Sequence, residues 1–219
     1  KLLADKPTIS FHVDAVQALA KIPTEKYLTE RVDFATFSSH KFHGVRGVGF
    51  VYIKSGKRIT PLLTGGGQES DYRSTTENVA GIAATAKALR LSMEKLDIFT
   101  SKTGQMKTVI RQALLDYPDI VVFSDEEDFA PHILTFGIKG VRGEVIVHAF
   151  EDYDIFISTT SACSSKAGKP AGTLIAMGVD KDKAQSAVRL SLDLENDMSQ
   201  VEQFLTKLKL IYNQTRKVR

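Results

Sequence analysis

The sequence contains a single cysteine, Cys163, so no disulfide can form within the chain. A lone thiol is typical of proteins from a reducing compartment, and we expect a cytoplasmic location. No apolar stretch reaches the length of about 18 residues that crosses a bilayer, and the first residues do not resemble a signal peptide. These absences argue against a secreted, disulfide-stabilised protein and against a membrane protein.

The sequence also lacks a large excess of charge of one sign. The formal net charge is +3, and the chain has no run of about five or six like charges, so we expect no direct binding to nucleic acid. We predict no metal site. The composition, 42% apolar and 25% charged over 219 residues, is that of a globular protein with one large or two modest domains. The chain begins with Lys1 rather than Met, and we expect it to start inside a longer protein.

Short β-rich runs alternate with helical patterns, which favours an α/β fold. The predicted strands cover residues 9–13, 32–37, 48–53, 120–123, 132–136, 155–158 and 187–192. Three predicted helices cover residues 15–20, 109–114 and 144–150. A longer helix is predicted after Asn78, with one apolar face formed by Val79, Ile82, Ala83, Ala86 and Leu89. The last predicted helix has an apolar face formed by Val201, Phe204, Leu205, Leu208 and Ile211. We predict a first domain over residues 1–95 and a second over 96–219.

The segment 38–49, Ser-Ser-His-Lys-Phe-His-Gly-Val-Arg-Gly-Val-Gly, is the most informative for chemistry. A lone lysine after a strand is most often a surface charge. A Schiff-base lysine instead needs a fixed, partly desolvated position and nearby glycines that let a bulky cofactor approach the backbone. Hydroxyl and imidazole groups beside it can hold a phosphate. These neighbours make Lys41 a candidate for covalent catalysis.

Asp14 and Gln17 follow a predicted strand at a spacing of three residues. The Asp14 carboxylate has two possible roles. It can cap the helix predicted after it, or it can pair with the protonated ring nitrogen of a pyridine cofactor. In the second case the Gln17 amide can donate to the phenolate oxygen of the same ring.

Seven motifs in succession resemble those of the cysteine desulfurases, a class V aminotransferase group among the fold-type I enzymes that use pyridoxal phosphate (PLP). The motifs are His-Val-Asp-Ala-Val-Gln (12–17), Ser-Ser-His-Lys (38–41), Gly-Gly-Gly-Gln-Glu with Arg-Ser-Thr-Thr-Glu-Asn (65–69, 73–78), Pro-His-Ile-Leu (131–134), Gly-Val-Arg-Gly-Glu (140–144), Ser-Ala-Cys-Ser-Ser (161–165) and Ala-Val-Arg-Leu-Ser (187–191). The resemblance covers essentially the whole chain, as the C-terminal part of such an enzyme. It implies part of the large PLP-binding domain followed by the small C-terminal α/β domain.

The resemblance also implies a role for each site residue. Lys41 would bind PLP as a Schiff base and transfer protons, Asp14 would pair with the ring nitrogen and Gln17 with the phenolic oxygen. Ser38 and His40 would bind the cofactor phosphate. Thr76 would reach the phosphate in the neighbouring subunit of a homodimer, and Arg189 would bind the carboxylate of the substrate L-cysteine.

Cys163 has two interpretations. A free cysteine is most often a small buried core residue. Here small and polar residues surround it, with Lys166 and Lys169 close by in sequence, which favours an exposed loop and the thiolate form. The resemblance implies that Cys163 takes the sulfur of cysteine as a persulfide, releases alanine, and passes the sulfur to an iron–sulfur scaffold or a tRNA-thiolation protein.

The sequence departs from the family pattern at Thr75, Val45, Thr160 and Asp193, none of which is a catalytic group. The phosphate loop, the ring-stacking histidine and the phenolate asparagine of the family's N-terminal half have no counterpart, so we expect the 219 residues alone to bind PLP weakly and to be inactive. The alternatives are a class V aminotransferase or a selenocysteine/cysteine lyase in which Cys163 is incidental, or a non-catalytic module.

Overall fold

The structure, a computed structural model, describes residues 3, 5–124, 129–159 and 172–217. The chain forms two compact units, Lys1–Asp97 and Ile98–Arg219. The division between them falls at the start of one helix, Leu96–Leu115, close to the boundary predicted after residue 95. The assignment of the units to the large and small domains of a PLP enzyme stays a prediction.

Unit 1 is built on a three-stranded sheet with one long helix. Its strands are β1 (His12–Asp14), β2 (Phe34–Ser38) and β3 (Gly49–Ile53), and its helix is α1 (Val79–Glu94). Short 3-10 helices cover Thr24–Lys26, Ser39–Phe42 and Glu69–Asp71. Strand β2 is central, parallel to β1 and antiparallel to β3.

The core of unit 1 lies on one face of this sheet. Alternation along β2 buries Ala35 and Phe37, and Phe37 stacks on Phe50 of β3 with ring centroids 4.7 Å apart. Helix α1 contributes the partly buried Ala88 and Leu89 to the same cluster. The opposite face of the sheet is therefore free of this core.

A buried carboxylate, Asp33, ties the first residues of unit 1 to the sheet. Its Oδ2 accepts from the Phe11 amide at 2.8 Å and from Arg31 Nη1 at 3.0 Å, and its Oδ1 lies 3.1 Å from Lys57 Nζ. The Phe11 amide, and then Lys57 and Arg31, outweigh the effect of burial and lower the pKa of Asp33 from 3.8 to about 2.

The lowered pKa predicts acid sensitivity of unit 1. Because the folded-state pKa lies below the unfolded value, the carboxylate contributes its full stability above about pH 4 and loses it as the pH falls towards 2. Urea unfolding between pH 6 and pH 2 measures this loss. Asp33→Asn should remove this part of the pH dependence, whereas Asp152→Asn, which removes an exposed carboxylate, should leave it in place. Parallel pH profiles for wild type and Asp33→Asn would contradict the assignment.

Unit 2 is a second sheet covered by helices. After α2 (Leu96–Leu115) its elements are β4 (Ile120–Val122), β5 (Ile133–Ile138), α3 (Gly143–Glu151), β6 (Ser158–Thr159), α4 (Gly172–Ala176), α5 (Lys181–Gln185), β7 (Ala187–Ser191) and α6 (Met198–Lys217). The strand order is β4-β5-β7-β6, and every neighbouring pair is antiparallel.

Aromatic residues link the helices of unit 2 to its sheet. Phe204 of α6 stacks on Phe150 of α3 at 4.9 Å and meets Phe136 of β5 edge-on at 6.2 Å. The predicted apolar face of α6 is confirmed, since its members at positions 201, 204, 208 and 211 are buried. None of the helices in the described ranges is long and apolar enough to cross a membrane.

Two predicted elements are wrong. Residues 16–20 form turns rather than a helix. The Ala18 and Leu19 amides both donate to the Ala15 carbonyl, and Ala20 takes a left-handed conformation (φ 59°), so no regular series of helical hydrogen bonds forms. The strand predicted at 155–158 begins only at Ser158. The Ile155 amide donates to the Phe150 carbonyl at the end of α3, and Asp154 has a φ of 57°.

Candidate active site

Two predicted cofactor residues lie on one face of the unit 1 sheet. Asp14, the last residue of β1, is paired in register with Thr36 of the parallel strand β2. Ser38 follows Thr36 by two residues, so the side chains of all three lie on the face opposite the core. His12 belongs to the same face, where its Nε2 lies 3.2 Å from Thr36 Oγ1. Asp14 and Ser38 thus meet at the carboxyl ends of two adjacent parallel strands, where α/β folds bind ligands.

Lys41 follows immediately, in the 3-10 helix Ser39–Phe42, hereafter the lysine turn. The turn continues directly from β2 and ends at His43, whose left-handed conformation (φ 64°) reverses the chain. Lys41 is half-buried and His40 is exposed. The sequence therefore places a lysine and an imidazole beside the sheet edge that carries Asp14 and Ser38.

A close approach of the backbone shapes the lysine turn. A Cβ atom at Gly44 would lie 1.9 Å from Ser39 Oγ, so only glycine fits there without displacing the Ser39 side chain. Ser39 is fully buried, whereas Ser38 is half-buried and caps nothing with its side chain. Of the two consecutive serines, Ser38 is the one that can meet a ligand.

The side chains at this edge have few partners within the described ranges. The Lys41 amine, the Ser38 hydroxyl, the His40 ring and the exposed Gln17 amide make no hydrogen bond or ion pair there. Among the described residues, the Asp14 carboxylate accepts from the Val16 amide alone, at 3.1 Å. The residues directly after Asp14 form turns rather than an α-helix, so its interpretation as a helix N-cap is wrong.

Thr76 is exposed and lies two residues before Asn78, the N-cap of α1. The Asn78 side chain accepts from the Gly81 amide at 3.0 Å. The structure describes a single chain, so the predicted contact of Thr76 with a neighbouring subunit stays a prediction.

Arg189 belongs to unit 2. It lies on β7 between Thr135 of β5 and Ser158 of β6. Its Nε atom is buried and has no hydrogen-bond partner among the described residues. A buried guanidinium nitrogen without a partner is costly, which is consistent with a site for an anionic ligand. Cys163 and its motif lie outside the described residues.

The sequence did not predict the contacts that hold the lysine turn. Thr85 and Ser92, both on α1, contact Ser39 and Phe42 at the two ends of the turn. The sequence around a threonine or serine inside a helix does not indicate that its side chain contacts a distant loop.

Comparison with known proteins identifies the family. Residues 2–204 match the family model described as aminotransferase class-V, and the chain belongs to this family. The relatives include the NifS/IcsS protein homolog of Lactobacillus delbrueckii subsp. bulgaricus, 48% identical over the whole chain and 57% of that protein. They also include the cysteine desulfurase IscS of Clostridium botulinum, 33% identical over 99% of the chain and 55% of that protein.

The fold agrees with this assignment. A solved structure described as a NifS-like protein matches 97% of the chain with a TM-score of 0.84 at 34% identity, over 55% of its own length. The NifS-like protein from Rickettsia africae matches with a TM-score of 0.83 at 28% identity. The predicted fold-type I α/β architecture and the resemblance to cysteine desulfurases are confirmed. The chain spans about half the length of the relatives it matches.

Proposed function

We propose that this chain carries the lysine and the sulfur-accepting cysteine of a PLP-dependent cysteine desulfurase. The observation that carries the proposal is that Asp14, Ser38 and the lysine turn lie together at one edge of the β1–β2 pair. Among the described residues, the Lys41 amine, the Ser38 hydroxyl and the His40 ring have no protein partner, and the Asp14 carboxylate accepts from the Val16 amide alone. The kinship with NifS-like proteins and cysteine desulfurases supports the same reaction.

The free groups at this edge fit the chemistry of PLP. Asp14 offers an anion for the ring nitrogen, Gln17 an amide donor for the phenolic oxygen, and Ser38 and His40 donors for the phosphate. The Lys41 amine matches the cofactor aldehyde. Bound PLP supplies the electron sink that weakens bonds at the substrate α-carbon.

Three residues of the protein, Lys41, Arg189 and Cys163, would then act on L-cysteine. Lys41 moves protons between the substrate carbons, and Arg189 orients the substrate through its carboxylate. The Cys163 thiolate attacks the substrate sulfur, so that a sulfur–sulfur bond forms and the carbon–sulfur bond breaks. The electron pair of the broken bond stays with the substrate, which gains a proton and leaves as alanine, and Cys163 keeps the sulfur as a persulfide.

The proposal also covers the oligomeric state, the location and the partner protein of the enzyme. We propose a homodimer in which Thr76 binds the cofactor phosphate of the neighbouring subunit. We also propose a cytoplasmic location and a sulfur-acceptor protein, either an iron–sulfur scaffold or a tRNA-thiolation protein, as the partner that receives the persulfide sulfur.

Product analysis of the full-length protein tests the proposal. With L-cysteine and dithiothreitol, a cysteine desulfurase releases alanine and sulfide in equal amounts and forms no keto acid. An aminotransferase with an incidental Cys163 would instead form a keto acid from its amino donor and consume an acceptor keto acid. Keto-acid formation without sulfide would therefore reject the proposed reaction.

Arg189→Ala should weaken substrate binding and leave PLP binding unchanged. Loss of charge-assisted hydrogen bonds costs about 1.5–3 kcal/mol each, which corresponds to a rise of roughly ten- to a hundred-fold in the apparent constant for cysteine. Steady-state kinetics of the full-length protein measure it. Arg90→Ala, which removes an exposed arginine paired with Glu94, is the control and should have no effect. A wild-type constant in Arg189→Ala would place the substrate carboxylate elsewhere.

A further inference from the structure

Two hydroxyl groups on α1 hold both ends of the lysine turn. At its first residue, Ser39 Oγ lies 2.9 Å from Thr85 Oγ1. At its last residue, the Phe42 carbonyl accepts from Ser92 Oγ at 3.1 Å. Thr85 and Ser92 are seven residues apart, two helical turns, so they lie on the same face of α1. This face is buried at Thr85, which is 6% exposed.

In the contact between the Ser39 and Thr85 hydroxyls, the number of available protons decides which group donates. Thr85 Oγ1 also lies 2.8 Å from the Gly81 carbonyl one helical turn earlier. A hydroxyl has one proton, and a carbonyl can only accept. Thr85 therefore donates to Gly81, and the buried Ser39 hydroxyl donates to Thr85. The Ser39 proton is thereby occupied, which leaves Ser38 as the serine that can donate to a phosphate.

The geometry of the turn separates its anchors from its free side chains. In a 3-10 helix, residues three apart lie on the same side, so Ser39 and Phe42 share one side of the turn. Both are buried, at 0% and 1% exposure. His40 and Lys41 lie between these anchors and are more exposed. The backbone that carries Lys41 is thus held on both sides, although the Lys41 amine itself has no partner in the described ranges.

We infer that Thr85 and Ser92 are positioning residues for Lys41, acting through Ser39 and Phe42. The inference rests on the proposed function, in which Lys41 must meet the cofactor aldehyde in a defined geometry. A lysine side chain is long and flexible, so the position of its amine depends on the backbone that carries it. A misplacement of about 1 Å in a reacting group can cost about a hundred-fold in rate.

The reactivity of Lys41 in the cofactor-free, full-length protein tests the positioning directly. The rate of modification of Lys41 by trinitrobenzenesulfonate is measured by peptide mass spectrometry across a pH series, relative to the exposed Lys181. Thr85→Val removes the hydroxyl that holds Ser39, and we expect the Lys41 rate to rise about two- to tenfold, as for a local opening that loses one hydrogen bond. Ser92→Ala, which releases the other end of the turn, should change the rate in the same direction.

Two control variants separate positioning from general destabilisation. Thr85→Ser keeps the hydroxyl and should restore the wild-type rate. Thr103→Val removes a hydroxyl from an equally buried helical site, where Thr103 donates to the Phe99 carbonyl at 2.7 Å. It should lower the thermal stability in a similar way and leave Lys41 modification unchanged.

A second arm separates this inference from the proposed function. PLP is added to each variant, and the rate and site of its covalent attachment are followed by absorbance and by peptide mapping after borohydride reduction. If PLP attaches at Lys41 and the attachment is about ten- to a hundred-fold slower in Thr85→Val, both the positioning inference and the proposed function are supported. Altered modification of Lys41 with attachment at another lysine keeps the positioning and overturns the proposed function. A wild-type rate of Lys41 modification in both Thr85→Val and Ser92→Ala overturns the inference, whatever the cofactor does.

Discussion

Lys41→Ala should remove the visible absorbance of lysine-bound PLP from the full-length protein and stop alanine release from cysteine. Lys41 is the lysine at the carboxyl edge of the β1–β2 pair, beside Asp14 and Ser38. Loss of a general acid–base group typically costs about 10²–10⁴-fold in rate, and loss of the attachment point adds to this. Absorbance spectra and product assays measure both effects.

The matched control is Lys54→Ala. Lys54 follows β3 in the same unit, and its amine donates to the Glu30 carbonyl, so it serves the fold rather than a ligand. This variant should keep the absorbance and the activity. Borohydride reduction of the wild-type protein, followed by peptide mapping, should place the cofactor on Lys41, and a label on any other lysine would contradict its role.

Cys163→Ser should keep the absorbance of bound PLP and lose persulfide formation together with alanine release from cysteine. A serine hydroxyl occupies nearly the same volume as a thiol but is not ionised at neutral pH, so it cannot attack the substrate sulfur. Ser165→Ala, a change two residues further along the same motif, should keep the activity. Full alanine production by Cys163→Ser would show that the cysteine has no part in the reaction.

Regular periodicity made part of the fold predictable. The spacing of apolar residues in α6 and the short apolar run of β7 agree with the observed elements within a few residues. The turn at 15–20 was not predictable, because its alanines and leucine favour a helix locally. The left-handed Ala20, three residues before Pro23, ends that pattern instead.

The candidate site was predictable where its residues follow strands directly. Asp14 ends β1 and Ser38 ends β2, so two local motifs define one edge of the sheet once the strands pair. The contact between Ser39 and Thr85 joins residues 46 positions apart. Only the packing of α1 against the lysine turn brings them together, and neither hydroxyl has a sequence context that indicates its partner.

The central claim is that Cys163 accepts the sulfur of L-cysteine in an enzyme whose PLP-binding lysine is Lys41, and it is tested most directly by following the sulfur. The full-length protein is given a limiting amount of L-cysteine with radioactive sulfur, without a reductant, and is then digested under non-reducing conditions. We predict that the label lies on the peptide containing Cys163, that it equals the alanine formed, and that dithiothreitol releases it as sulfide. Alanine formation with an unlabelled Cys163, or a keto acid in place of alanine, would contradict the claim.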